Sequence, residues 1–379
     1  MKIKRVKQNT EKLLSRLNVD VRGIEIMSAK TQIYIFHVKQ IRCGAANILK
    51  QDALSVGAEF ALPYGTIECK NTIDQGVLIG NKRVLLTLCK KLQAQPYGLK
   101  ELAKTVKTFL NTPEFEPKIM GVINTNDDSF NAASRFKGDA ATMRIETMIA
   151  QGAKIIDVGG VSSRPGSVYC GVEEELRRVQ DVLQSIDEKK LFEKAVFSID
   201  SFEPKVVEKA LRCGFKIIND ITGLQNPVLA KLAKEYGAQI CIMHMQNNPQ
   251  DMQKAPVYED VVLEVEEFFA QRLEIAYAHG LSQKDVILDV GIGFGKTLEH
   301  NIELLTNLNH FQKFGCELLV GASRKSMIDK IAPAPVEQRL GGTLALHLLA
   351  YRNGASILRA HDVFEHVQAL NVCKALKDF

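Results

Sequence analysis

Tryptophan is absent from this 379-residue chain, and aromatic residues together make up only 7%. Base-stacking surfaces interleave aromatics with basic residues, so this scarcity, with no nucleic-acid motif present, argues against a nucleic-acid partner. No apolar run approaches the ~18 residues of a membrane span, and no transmembrane helix is expected. The opening residues, MKIKRVKQNTEKLL, are basic but hold no apolar stretch and no small-residue cleavage site, so no signal peptide is expected. The eight cysteines contain no C-x-x-C pair. A chain this long does not need disulfide staples, and scattered thiols read as small buried apolar groups in a cytoplasmic protein.

Apolar residues at 46% can fill a sizeable core, and charged residues at 25% are ordinary. The net charge of +5 conceals a split. Residues 1–118 carry 20 Lys and Arg against 10 Asp and Glu, whereas the remainder carries 29 against 34. Two domains are therefore expected, 1–116 and 117–379, joined through the stretch TPEFEPK at 112–118. The first reads as a small basic α/β module: a helix at NTEKLLSRLN, a strand at TQIYIFHVKQI, and a helix around LKELAKTVKTFLN. It holds no motif that ties to chemistry, and its basic face reads as solvated surface.

From residue 118 one pattern recurs. Short apolar runs at 118–124, 154–160, 195–200, 216–220, 238–244, 285–291, 317–324 and 355–361 each precede an amphipathic stretch. Several of these stretches end in glycine, where a helix C-cap sits. Strands alternating with helices predict parallel βα units, and eight is the number that closes into a (β/α)8 TIM barrel. An open doubly wound sheet is the alternative. The strand ends carry Asn124, Asp157, Asp200, Asn219, Met243 with His244, Asp289, Ser323 to Lys325, and Arg359 with His361. In a barrel these polar groups converge on one face, where active sites lie. Helix capping accounts for one or two such residues, not for the set.

The segments MGVINTNDDSF, DVGGVSSRPG, SID, IIND, IMHM, DVGIGFGKTLEHN, VGASRKSMI and LRAHDV, in this order and spacing, resemble the dihydropteroate synthases over residues 118–379. The resemblance implies a transferase of folate biosynthesis. Its substrates would be a pterin pyrophosphate and p-aminobenzoate, and it would be a sulfonamide target. Asp200, Asn219, Met243, Asp289 and Lys325 would bind the pterin. Asn124, Ser163, Arg359 and His361 would hold the pyrophosphate, with Asn124 ligating Mg2+. Phe130, Ser163, Arg164, Pro165 and Ser323 would shape the p-aminobenzoate pocket. Asp200, Lys325, Arg359 and His361 would be the catalytic set, and the family implies a homodimer.

The residue types suit those roles. A pterin's pyrimidine edge offers an amino group beside a ring N–H, and a buried carboxylate such as Asp289 or Asp200 accepts both through charge-assisted bonds. Asn219 can donate and accept, and Lys325 can donate to the ring carbonyl. Arg359 matches phosphate geometry, and His361 adds a donor. Magnesium commonly takes few protein oxygens and completes its shell with phosphate and water, as Asn124 would allow. Ser323 precedes a helix start, where N–H groups attract a carboxylate. The ordinary alternatives are a turn residue at Asp289, helix or strand caps at Asn219 and Asn124, and a surface salt bridge at Arg359.

GIGFGKT mimics a phosphate-binding loop, but Val290 stands where that motif needs glycine. Relative to the family pattern, Asn126 replaces threonine, Asp127 proline, Val161 glutamate and Ser163 threonine, and a glycine pair is lost after Phe130. Such changes alter which loop conformations are cheap. The amine of p-aminobenzoate is itself a nucleophile, and no triad signature occurs. A dissociative substitution at the pterin methylene is therefore expected. A pterin-dependent methyltransferase and a non-catalytic pterin-binding protein are the competing readings.

Overall fold

A computed structural model describes residues 3, 10–69, 75–125, 139–161, 169–246, 252 and 256–377. The chain divides into two compact units, Met1–Thr112 with Lys374–Phe379, and Pro113–Cys373.

The first unit runs α1 (Thr10–Arg16), α2 (Val21–Ser28), β1 (Ile33–Lys39), α3 (Cys43–Val56), β2 (Glu59–Ala61), β3 (Gln75–Asn81), α4 (Lys82–Leu92) and α5 (Leu99–Leu110). Its three strands form an antiparallel sheet in the order β1-β3-β2. Leu49, Phe60, Leu78, Leu85, Leu88 and Val106 are buried together. Alternation of buried and partly buried residues along β3 places one face of the strand on this core. The sequence reading anticipated α1, β1 and α5 but not the elements between them.

One expectation is overturned here. Cys43, the first residue of α3, forms a disulfide with Cys69, with their Cα atoms 5.7 Å apart. The chain passes through α3 and β2 before residue 69 returns to the start of α3, so the 26-residue separation hid the pair from a spacing argument. The other six cysteines are free, and Cys89, Cys241, Cys316 and Cys373 behave as the buried small residues expected.

The second unit runs β4 (Lys118–Asn124), α6 (Asp139–Ala150), β5 (Ile155–Gly159), α7 (Val172–Glu188), β6 (Val196–Asp200), α8 (Pro204–Arg212), β7 (Ile217–Asp220), α9 (Val228–Tyr236), β8 (Gln239–Met243), α10 (Val261–Ala278), β9 (Val286–Asp289), α11 (Leu298–Thr306), β10 (Glu317–Val320), α12 (Ser326–Ile331), α13 (Leu340–Arg352), β11 (Ile357–Ala360) and α14 (Val363–Lys377) as far as Cys373. Strands β4 to β11 close into a barrel in sequence order, all neighbours parallel. Pro204 starts α8, where its missing N–H costs nothing, and Asp260 caps Val262 and Leu263 at the start of α10.

Side chains alternate along each strand, and this sets what fills the barrel. Met120, Ile155, Ile217, Cys241, Ile287, Leu319 and Ile357, one from each of seven strands, form a buried interior cluster. A larger cluster, including Ile156, Phe197, Ile218, Ile240 and Leu288, lies between strands and helices. Among the described residues no helix is long and apolar enough to cross a membrane.

Thiol titration of the protein unfolded without reductant should therefore find six reactive cysteines and, after reduction, eight. Eight in both states would remove the Cys43–Cys69 bridge.

Candidate active site

Stepping two residues along each strand from the interior apolar cluster, toward its C-terminal end, gives Val122, Asp157, Asn219, Met243, Asp289, Gly321 and Arg359. The same alternation puts Asp200 above Ser198 on β6. A polar layer thus caps an apolar one, at the end of the barrel where such folds carry their sites.

Arg359 organises this layer. Its Nε donates to Asp157 Oδ2 at 2.7 Å, and its Nη2 donates to Asp200 Oδ2 at 2.7 Å. Asp157 is fully buried, and its Oδ2 also accepts from Asn219 Nδ2 at 3.1 Å. An ionised carboxylate only accepts, so this contact turns the Asn219 amide: its nitrogen faces Asp157 and its oxygen is left for a ligand. Asp157 Oδ1 is buried without a partner among the described residues, as is Ser198 Oγ on the neighbouring strand. Burial raises the Asp200 pKa to about 7, with Asp157 and other carboxylates adding to the rise and Arg359 opposing it. Burial works against the Arg359 charge too, but Asp157 and Asp200 outweigh it and hold the guanidinium more firmly protonated.

Asp289 ends β9, and its Oδ1 accepts from Gly291 N at 2.8 Å. Burial raises its pKa, against the pull of that N–H and of Lys325, Lys296 and Arg359. Lys325 lies at the N-cap of α12. Its Nζ donates to Ile292 O and sits 4.1 Å from the Phe294 ring centroid. Burial lowers its pKa to about 7, so near neutrality it can give up a proton as well as hold one. Met243, last in β8, is buried beside these groups in the layer.

His361 and Ser323 meet. The Ser323 hydroxyl lies 2.9 Å from His361 Nδ1 and accepts from His361 N at 3.4 Å. When that hydroxyl donates to Nδ1, Nε2 carries the ring proton. Two residues assigned by resemblance to different substrates are therefore neighbours. Asn124 ends β4, half-buried, paired in register with Gly159. No three His, Cys, Asp or Glu side chains among the described residues are grouped to hold a metal. A single amide oxygen fits only an ion held mainly by phosphate and water, which is magnesium's habit. Phe130, Ser163, Arg164 and Pro165 lie outside the described residues, as do the altered Asn126 and Asp127.

Sequence reasoning named Asp157 as a strand end but gave it no role, and it overlooked Lys296. The latter is buried, with Nζ donating to the carbonyls of His244, Gly291 and Phe294 at 3.2, 3.1 and 2.9 Å and lying 2.9 Å from His244 Nδ1. The lysine of GIGFGKT thus fastens its own loop. Gly291 belongs to the same fastening: its φ is +66°, and a Cβ there would lie 2.0 Å from His244 O. Burial lowers the Lys296 pKa to about 7 and, with the Lys296 charge, the His244 pKa to about 2.

The fold and this polar mouth define a (β/α)8-barrel enzyme. Residues 120–361 match the family described as pterin binding enzyme. Dihydropteroate synthase of Escherichia coli is 42% identical over 260 residues, covering 68% of this chain and 91% of that protein. The bifunctional dihydropteroate synthase/dihydropteroate reductase of Helicobacter pylori is 40% identical over 353 residues, 93% of this chain and 92% of the relative. Among solved structures, the Yersinia pestis dihydropteroate synthase with a sulfonamide drug complex aligns with TM-score 0.66 at 36% identity, over 70% of this chain and 95% of that one. The Xanthomonas albilineans dihydropteroate synthase with 4-aminobenzoic acid aligns with TM-score 0.64 at 34% identity, over 70% and 99%. The chain belongs to the pterin-binding enzymes and, within them, to the dihydropteroate synthases.

Removing Asp157 leaves Arg359 one carboxylate short in a buried layer. Asp157→Ala should lower the unfolding free energy by about 2–3 kcal/mol, read from urea midpoints. An unchanged midpoint would mean that Arg359 does not depend on this partner.

Proposed function

We propose that the chain joins a 7,8-dihydropterin-6-ylmethyl diphosphate to p-aminobenzoate, giving 7,8-dihydropteroate and pyrophosphate. The observation that carries this reading is the polar layer itself: Asp157, Asp200, Asn219, Asp289, Lys325 and Arg359 in one barrel mouth. Asp289 and the Asn219 oxygen accept from the pterin's amino and ring N–H groups. Lys325 donates to the ring carbonyl, and Met243 packs on the ring. The amide orientation set by Asp157 supports Asn219 as an acceptor there. Arg359 and His361 take the pyrophosphate with Ser163, while Ser323 meets the carboxylate of p-aminobenzoate in a pocket completed by Phe130, Ser163, Arg164 and Pro165.

The bond from the pterin methylene to the pyrophosphate oxygen breaks first, and its electron pair leaves with the pyrophosphate. Arg359 and His361 stabilise that leaving charge. Asp200, when ionised, favours positive charge at the methylene. The amine lone pair of p-aminobenzoate then forms the C–N bond, and the nitrogen releases one proton to the departing pyrophosphate or to solvent. Asn124 would hold Mg2+, which when bound neutralises charge on the departing pyrophosphate.

A second activity is favoured by one observation. The match to the bifunctional Helicobacter pylori enzyme spans 353 residues, more than the barrel alone supplies. We therefore also propose dihydropteroate reduction, with electrons from an external two-electron donor. A homodimer is proposed on the family resemblance. A cytoplasmic location is proposed as well: six free cysteines suit it, and the Cys43–Cys69 bridge weighs against it.

Mixing the protein with the pterin diphosphate, p-aminobenzoate and magnesium should release pyrophosphate, and a sulfonamide should compete with p-aminobenzoate. Binding of both substrates without release would favour a non-catalytic pterin-binding protein. Incubation with dihydropteroate and an electron donor should yield tetrahydropteroate, and its absence would remove the reductase.

The pH dependence has a defined sign. Asp200 is protonated below about 7 and ionised above it, so activity rises through that range. Lys325 loses its charge above about 7, so activity falls on the alkaline side. The profile of kcat/KM should be a narrow bell centred near neutrality, and Lys325→Arg should abolish its alkaline limb. An alkaline limb retained in that variant would assign the limb elsewhere.

A further inference from the structure

Two histidines outside the site are buried against each other. His347 on α13 is 1% exposed and His366 on α14 is 2% exposed. His347 Nδ1 lies 2.9 Å from His366 Nε2. His347 Nε2 accepts from the backbone N–H of Ala322 at 3.0 Å, and His366 Nδ1 lies 2.5 Å from the carbonyl oxygen of Asp362.

These contacts fix every proton. Nε2 of His347 accepts an amide, so its proton is on Nδ1, which donates to His366 Nε2. His366 then carries its proton on Nδ1 and donates to Asp362 O. Burial pushes both rings below the ordinary histidine pKa, which keeps them in the neutral forms that this chain of bonds requires.

The chain joins the two segments that bear His361 and Ser323. Asp362 also takes the Arg324 guanidinium through both carboxylate oxygens, at 3.1 and 2.6 Å. The result is a closed ring: Ala322, His347, His366, Asp362, Arg324. Ser323 and His361 lie inside it, in contact with each other. The turn itself is strained, since Arg324 adopts φ +57° without being glycine. Thr343, one helical turn before His347 on α13, accepts from Arg324 N at 3.0 Å. Alternate N–H groups of the turn, at 322 and 324, are thus held from one face of one helix.

We propose that His347 and His366 are positioning residues for the synthase reaction: through the Ala322 N–H and the Asp362 carbonyl they hold Ser323 against His361 at the p-aminobenzoate end of the site. Neither ring touches substrate.

Two substitutions separate the halves of the His347 contact. In His347→Gln the amide oxygen reaches the Nε2 place and can still accept from Ala322. In His347→Asn the amide sits at the Nδ1 place, keeping the donor to His366 and losing Ala322. Amide hydrogen exchange over residues 318–330, measured without substrate, should show Ala322 protected in the parent and in H347Q and exposed to exchange in H347N. The KM for p-aminobenzoate should rise about tenfold in H347N, measured well below its melting temperature, and stay near the parent value in H347Q.

Equal protection of Ala322 in H347N and the parent would overturn the proposal. So would a KM change that is the same in both variants or that follows stability alone. Should H347N not fold, His366→Phe removes the donor to the Asp362 carbonyl while keeping an aromatic ring in place. It should raise the same KM and speed amide exchange over residues 361–366, with Ala322 still protected by His347 Nε2, and no change in either would equally overturn the proposal. The kinetic arm rests on the synthase reading, but the exchange arm does not. An inactive parent with Ala322 protection lost in H347N would sink the reading and leave the clamp standing.

Discussion

The bidentate hold of Asp157 and Asp200 on the Arg359 guanidinium is the constraint on which the site depends. Three charges in a buried layer are stable only while their bonds are made. Arg359 projects from β11, Asp157 from β5 and Asp200 from β6, so the ion triad ties together strands on both sides of β4 across the barrel interior. The apolar cluster two residues below gives that triad a water-excluding floor. The triad's second consequence is chemical. Asp157, occupied by Arg359, still orders the Asn219 amide, so a cation on one strand governs which atom another strand presents to a ligand.

Much of this was legible in the sequence, for a stated reason. Parallel strands buried on both faces read as short continuous apolar runs, and each run here falls on an observed barrel strand. The polar residues near the end of each run converge on one face once the strands close into a barrel, so Asp200, Asn219, Asp289 and Arg359 could be placed at one mouth from the sequence. The first unit was less legible because its signals conflict. The stretch CGAANILKQDALSV is a helix with a weak amphipathic contrast, and β3 carries two glycines, which depress strand propensity. The disulfide lay beyond a spacing rule altogether, since it is made by the return of the chain after β2.

What stayed hidden in the site is partnership rather than identity. Lys296 was visible inside GIGFGKT, where Val290 in the place of a glycine argued against a phosphate-binding loop. Nothing local, however, says that its ammonium turns back to three carbonyls and His244. His347 and His366 lie on helices whose patterning reads as core. A histidine on such a face is ordinarily a satisfied interior group, and only their mutual 2.9 Å contact and the Ala322 amide give them an address at the site.

These partnerships share one physical logic. A barrel strand can aim a side chain, but the turn that follows must be held by something else, because its backbone groups have left the ladder. Here each turn is held by a different polar device. The 291–296 loop is drawn around the Lys296 ammonium, the 322–325 turn hangs from Thr343 and His347, and the 361–362 segment is tied through Asp362 to Arg324 and His366. A cation, a hydroxyl with an imidazole, and an ion pair differ in how they respond to solvent and to charge. The neutral imidazole accepts its N–H without adding a charge beside Lys325, Arg359 and His361. A lysine in that place would add another cation beside Lys325 and Arg359. Its charge would push the already lowered Lys325 pKa lower still and so deplete the protonated form that donates to the ring carbonyl. A pair of buried neutral histidines therefore satisfies the turn while leaving the electrostatics of the site to the carboxylates and cations that face the ligand.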